Sequence, residues 1–188
     1  MKYNPARNNR RSIRLRGYDY ANVGAYFVTI CLNQRIPKMQ TQPEFDFPTF
    51  GLVKNGVMIL NDSGKMVQND MPKYYPDIEV NEFIVMPDHI HGIIKINNPS
   101  ITNNVVGATQ RGCPYSAVAV SLPYLIDRFK TGTTNKYIDG VKTSKWKPFH
   151  KKLWQRNYYE SIIRNETEYA RITKYIRNNP ILWGFSFF

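Results

Sequence analysis

Apolar and polar positions divide the chain into short extended runs interleaved with helical periods. Tyr26 to Leu32 is a continuous aromatic and β-branched run, the pattern of a buried strand. Phe50 to Val53 and Val57 to Leu60 are joined through Lys54-Asn55-Gly56 and predict a hairpin. Asn-Gly readily adopts the positive φ values that a tight hairpin turn demands. Asn61, Asp62 and Ser63 offer caps for a helix over residues 64–71, with Met66, Val67 and Met71 on its buried side and Pro72 stopping it. Residues 78–86 predict a long strand, Pro87-Asp88 a turn, and the strand beginning at His89 its antiparallel return. Alternation on the return strand places Ile90, Gly92, Ile94 and Ile96 on the core side. His89, His91, Ile93 and Lys95 share the other side.

Residues 97–120 are mostly polar, contain Gly and Pro, and predict a loop or insertion. Leu122, Leu125, Ile126 and Phe129 follow helical spacing after a capping Ser121, and that helix is expected to end near Tyr137. Arg128, Lys130 and Lys136 lie off its apolar stripe and make a basic side suited to DNA. Residues 142–152 hold five lysines and no acid, a solvated loop or one that faces phosphates. His150, within it, is a lone loop histidine and indicates little. Residues 153–163 predict a strand. Asn165 then caps a helix over 166–178, with Tyr169, Ile172 and Ile176 as its stripe and Pro180 after its stop. The order β, β-hairpin, α, β, β, α, β, α implies an α+β fold. One antiparallel sheet carries helices packed mainly on one face, in a single domain spanning residues 1–188.

Charge adds a partner to this picture. Lys and Arg number 26 against 14 acids, a net charge of +12, which argues for a polyanion and most simply nucleic acid. The first sixteen residues carry Arg10, Arg11, Arg14 and Arg16 with no acid, a candidate arm along phosphates or a solvated tail. Cys31 and Cys113 are the only cysteines and form no paired motif. A reducing, cytoplasmic setting is expected. No apolar run approaches a membrane span, and the first residues lack a signal peptide's apolar stretch.

Two imidazoles two residues apart on one strand face can hold a single metal ion, or can merely bond their neighbours. His89 and His91 have that spacing. Tyr175 and Asn179 are four apart on the last helix and lie one above the other. A phenolate there could attack phosphorus while the Asn179 oxygen reaches the metal. Spacing alone equally allows a half-buried tyrosine and an Asn-Pro stop signal.

Four stretches in register are more specific. Arg10-Arg11-Ser12-Ile13-Arg14-Leu15, Val85-Met86-Pro87-Asp88-His89-Ile90-His91-Gly92, the run from Trp154 to Glu166, and Tyr175-Ile176-Arg177-Asn178-Asn179-Pro180 resemble the REP-associated tyrosine transposases. These are single-tyrosine members of the HUH class, named for His-hydrophobic-His. The resemblance implies a ferredoxin-like or RRM-like HUH endonuclease fold. It implies that His89 and His91 bind a divalent metal and that Tyr175 attacks single-stranded DNA, leaving a 5′-phosphotyrosine and a free 3′-OH. Relatives place a glutamine four residues after the tyrosine as a third ligand; here that position is Asn179, one methylene shorter. The metal is Mg²⁺ or Mn²⁺, since magnesium favours oxygen ligands and imidazole suits manganese better. Hairpin-forming repeats are the implied substrate, contacted by Arg10, Arg11, Arg14, Arg16, Arg128, Lys130 and Arg156. Related enzymes occur as monomers and as homodimers. Tyr158 and Tyr159 are rival nucleophiles that, as strand residues, are expected to pack or stack on bases. The alternatives are a non-catalytic nucleic-acid-binding relative on the same scaffold, and a metal-dependent hydrolase that forms no covalent bond.

Overall fold

The computed structural model describes residues 17–33, 48–71, 78–97 and 121–183. The elements run β1 (Gly24–Cys31), β2 (Gly51–Lys54), β3 (Val57–Leu60), α1 (Asp62–Asp70), β4 (Ile78–Val85), β5 (His89–Ile96), α2 (Leu122–Ser144), β6 (Tyr159–Ile163) and α3 (Glu166–Leu182). The order and type match those read from the apolar pattern. Four strands form one antiparallel sheet in the order β4-β5-β1-β6, and β2 and β3 pair separately. Their turn carries positive φ at Asn55 and Gly56, as the Asn-Gly dipeptide requires.

The sheet is covered unequally. On one face Tyr26, Val28, Ile30, Ile90, Ile94 and Ile96 pack against Leu122, Leu125, Ile126 and Phe129 of α2 and Val67 of α1. The expected core side of β5 is thus the core side. On the other face a smaller cluster joins Phe27 and Ile93 to Ile172 and Ile176 of α3. Two helices therefore lie on one face, while α3 lies across the face that carries His89 and His91.

An irregularity in β4 shapes the α3 side. Val80 pairs with Ile94 and Phe83 with Gly92, so Asn81 and Glu82 together oppose Ile93. This β-bulge turns two consecutive side chains to the same side of the strand. Both reach α3. Asn81 donates to the Tyr169 hydroxyl at 2.9 Å. Glu82 accepts from the Arg177 guanidinium, at 3.2 Å from Nε.

Three elements differ from their expected extents. α2 runs to Ser144, about two turns past Tyr137, because Tyr137 and Gly140 are buried on it. The ring of Trp146 lies against Gly140, where a Cβ would come within 2.2 Å of it. Residues 153–158 are not strand; a single bridge joins Leu32 to Trp154. The Lys130 ammonium draws the carbonyls of Gln155, Arg156 and Asn157, which a ladder would otherwise use. α3 continues through Pro180 to Leu182. Proline there forfeits one bond, to the Ile176 carbonyl, close to the helix end. Burial of Asn179 and Pro180 keeps the last turn in place. Among the described residues, no helix is long and apolar enough to cross a membrane.

Candidate active site

The two histidines open β5 directly after Pro87-Asp88, and each is held from its far nitrogen. His89 Nδ1 donates to Asp88 Oδ1 at 2.6 Å. His91 lies across the β1–β5 pairing from Thr29, whose Oγ1 is 2.8 Å from His91 Nδ1. The His91 ring stacks on Phe27 at 5.4 Å and is 5% exposed. With Nδ1 engaged on both rings, the two Nε2 atoms face each other 3.0 Å apart. Burial, aided by the nearby His89, lowers the His91 pKa to about 2. His91 is therefore neutral at working pH.

This donor set fits a metal ion. Neutral His89 with its Nδ1–H on Asp88 presents a lone pair at Nε2. Two proton arrangements satisfy His91. Thr29 can donate to Nδ1 while Nε2–H bonds His89, or Nδ1–H can donate to Thr29 while Nε2 offers its own lone pair. Two lone pairs at 3.0 Å repel unless a cation lies between them. That separation also suits neighbouring ligands of an octahedral ion, each about 2.1 Å from it. Among the described residues no group of three His, Cys, Asp or Glu side chains could hold a metal. Among the described residues, any further donor would be of another type, such as an amide oxygen.

α3 brings the tyrosine to this pair. Asn165 caps the helix, accepting from the Glu168 N–H at 2.8 Å. One face then presents Tyr175, Asn179 and Trp183 at four-residue intervals. The Tyr175 hydroxyl lies 3.4 Å from His91 Nε2, and the residue is 43% exposed. Trp183 lies over His89 with ring centres 5.6 Å apart. Asn179, between them on the stripe, is buried. Its place inside the helix removes the reading of Asn-Pro as only a stop signal.

An open cavity of about 570 Å³ begins at His91 and Tyr175 and extends past Tyr159 to Gln155, Asn157 and Arg171. The rival tyrosines part company here. Tyr158 packs against the main core beneath Lys130, at 5.3 Å from ammonium to ring centre. Tyr159 is 52% exposed and meets Phe27 edge-on.

The expected DNA-contact residues divide as well. Arg10, Arg11, Arg14 and Arg16 lie outside the described residues, as does most of 97–120. Arg128 donates to the Tyr124 hydroxyl, and Lys136 pairs with buried Asp70 at 2.7 Å. The Lys130 ammonium is bonded to backbone carbonyls, while Arg156 is exposed. Sequence reasoning missed Thr29, Asp88, Arg171 and Trp183. Asp88 precedes the first histidine and was legible as a partner for it. Thr29 becomes visible only through cross-strand register.

No protein-family model matches the chain. It is 35% identical over 190 residues to an uncharacterized protein of Haemophilus influenzae, covering 97% of this chain and 94% of that one. A second protein of that organism, provisionally named a REP-associated tyrosine transposase, is 23% identical over 167 residues, covering 89% of this chain and 76% of its own length. Among solved structures, a REP-associated tyrosine transposase bound to a REP hairpin has a similar fold. The TM-score is 0.54 at 19% identity, covering 93% of this chain and 76% of that chain.

Proposed function

We propose, for a chain that belongs to the same family as the uncharacterized Haemophilus influenzae protein and has the fold of a REP-associated tyrosine transposase, that it nicks and rejoins single-stranded DNA through Tyr175. The observation that carries this reading is the Tyr175 hydroxyl 3.4 Å from His91 Nε2, itself 3.0 Å from His89 Nε2. A nucleophile and two convergent imidazole nitrogens thus meet at the mouth of an open cavity. The distant relative and the fold neighbour agree with it.

His89 and His91 would hold a divalent metal, Mg²⁺ or Mn²⁺, with Asn179, on the same α3 stripe as Tyr175, the candidate for a further oxygen donor. When bound, the ion stabilises charge developing on the scissile phosphate. The remaining work belongs to the chain. Asp88 and Thr29 orient the imidazoles by their Nδ1 atoms, as partners beyond a metal's ligands commonly do. The Tyr175 oxygen forms a bond to phosphorus as the bond from phosphorus to the 3′ oxygen breaks. The phenolic proton is lost, and the departing oxygen takes one up to become a 3′-OH. The 5′-phosphotyrosine keeps the phosphodiester's energy, so rejoining by the reverse attack needs no nucleotide cofactor. Hairpin-forming repeats are the substrate class, consistent with the REP hairpin held by the fold neighbour.

The test is incubation with Mn²⁺ and end-labelled single-stranded hairpins of varied repeat sequence. A covalent protein–DNA band that survives denaturation is expected, absent in Tyr175→Phe and His91→Ala. Cleavage that persists in Tyr175→Phe would replace transfer with hydrolysis. Tight hairpin binding with no adduct on any repeat would instead establish a non-catalytic DNA-binding protein.

A further inference from the structure

The cavity beside Tyr175 is built for more than a phosphate. Phe27 carries Tyr159 edge-on at 6.3 Å and Tyr175 edge-on at 6.0 Å, so aromatic rings flank its approach. Tyr158 and Tyr159 both line the cavity; Tyr159 is 52% exposed, whereas Tyr158 is half-buried against the core. Gln155 and Asn157 add amide side chains, each with donors and an acceptor. Arg171, one turn before Tyr175 on α3, adds an exposed cation, 4.0 Å from Glu168 of the same helix, and among the described residues no carboxylate lines the space itself. A π surface, amide groups and a solvent-facing guanidinium suit a ligand that is flat, hydrogen-bonding and anionic.

The amide-bearing wall is fixed from behind. Lys130 Nζ donates to the carbonyls of Gln155 at 3.0 Å, Arg156 at 3.3 Å and Asn157 at 3.3 Å. One ammonium thereby holds three successive peptide groups, and with them the Gln155 and Asn157 side chains. The segment is tied at its start as well, by the Gln155 N–H to the Cys31 carbonyl at 2.9 Å and by Trp154 Nε1 to Thr133 at 3.0 Å.

We propose that this cavity is a subsite for one unpaired base of a nucleic-acid strand. Tyr159 stacks on the base, Gln155 and Asn157 bond its edge, and Arg171 pairs with an adjoining phosphate. Lys130 is a positioning residue that sets the wall without touching the strand. Stacking tolerates any base, and an amide side chain can match a base edge. A duplex would withhold both the face and much of the edge. The inference rests on the DNA-processing reading only for which polymer enters.

The test uses full-length Tyr175→Phe protein, so that no adduct forms, and fluorescence anisotropy with a labelled oligo-dT of about twelve nucleotides, a length within known single-strand site sizes. An equally long oligomer of abasic residues is the second probe. The Tyr159→Ala change is expected to weaken oligo-dT binding about tenfold and leave the abasic oligomer unaffected, with Tyr159→Trp restoring it. Lys130→Met should lower the preference for bases yet leave the salt dependence unchanged, while Lys130→Arg keeps the preference. Arg171→Ala should reduce the salt slope by about one. An equal loss on both oligomers, or none, in Tyr159→Ala overturns the subsite. A salt slope reduced by about one in Lys130→Met overturns the role given to that residue. A Tyr175 adduct without base preference would remove the subsite alone; base preference without an adduct in the unaltered protein would remove the nicking reaction alone. Binding of neither oligomer would remove both.

Discussion

A single hydroxyl decides what His91 can offer. With Thr29 donating to Nδ1, the His91 proton lies on Nε2, between the rings; with Thr29 accepting, Nε2 presents a lone pair. Thr29→Val removes both options at nearly constant volume. It is expected to weaken Mn²⁺ binding about ten- to a hundredfold by titration calorimetry, with Thr29→Ser retaining most of the affinity. Protonation of His91 supplies a second prediction. Its pKa is about 2 in the folded, metal-free protein and near the ordinary 6.5 when unfolded. Between those values the unfolded chain binds the extra proton, so stability is complete above 6.5 and is lost as pH falls toward 2. Denaturant titrations in chelator should show a slope of up to about 1.4 kcal/mol per pH unit from this residue. His91→Leu should flatten that part of the profile.

At the scale of elements, α3 is placed by one extra residue in β4. Asn81 and Glu82 grip the helix at Tyr169 and Arg177, on either side of Tyr175 along the chain. Deleting Asn81 would restore regular pairing and leave one of the two grips. Faster hydrogen exchange across residues 166–182 is expected, with the protection of β1 and β5 unchanged. Arg177→Ala alone should change stability little, because the Arg177 guanidinium is exposed and solvent screens its pairing with Glu82. On α2, Gly140→Ala would press a Cβ into the Trp146 ring. Overpacking of that kind costs about 1–3 kcal/mol, readable as a lowered thermal midpoint.

These elements also mark what sequence could show. Apolar alternation identified β5 and its two faces, and Asn-Gly identified the hairpin turn, because both signals are local. The bulge in β4 is a matter of pairing with Ile93 and leaves no mark on composition. The segment 153–158 has the aromatic content of a strand, yet a lysine from α2 takes its carbonyls. α2 outran its predicted end near Tyr137 because Gly140, just beyond it, is a weak helix former read locally. Burial of Gly140 beneath the Trp146 ring overrides that preference. Likewise Pro180 reads locally as a stop, while burial of its helix end allows continuation.

For the whole molecule, a net charge of +12 predicts strong salt dependence in any complex with single-stranded DNA. The count overstates the cationic surface, since Lys130 and Lys136 are spent on internal partners. On the α3 side, Arg171 borders the cavity and is 72% exposed, although Glu168 lies 4.0 Å from it. The histidine pair, Tyr175 and the exposed ring of Tyr159 all belong to that α3 side.

Peptide mass spectrometry addresses the central claim most directly. The protein is incubated with Mn²⁺ and a single-stranded repeat hairpin, then digested with nuclease and trypsin. The account predicts a nucleotide mass on the short peptide Tyr175-Ile176-Arg177, lost in His89→Ala. Nucleotide on a peptide bearing Tyr158 or Tyr159, or DNA cleaved with no modified tyrosine, would contradict it.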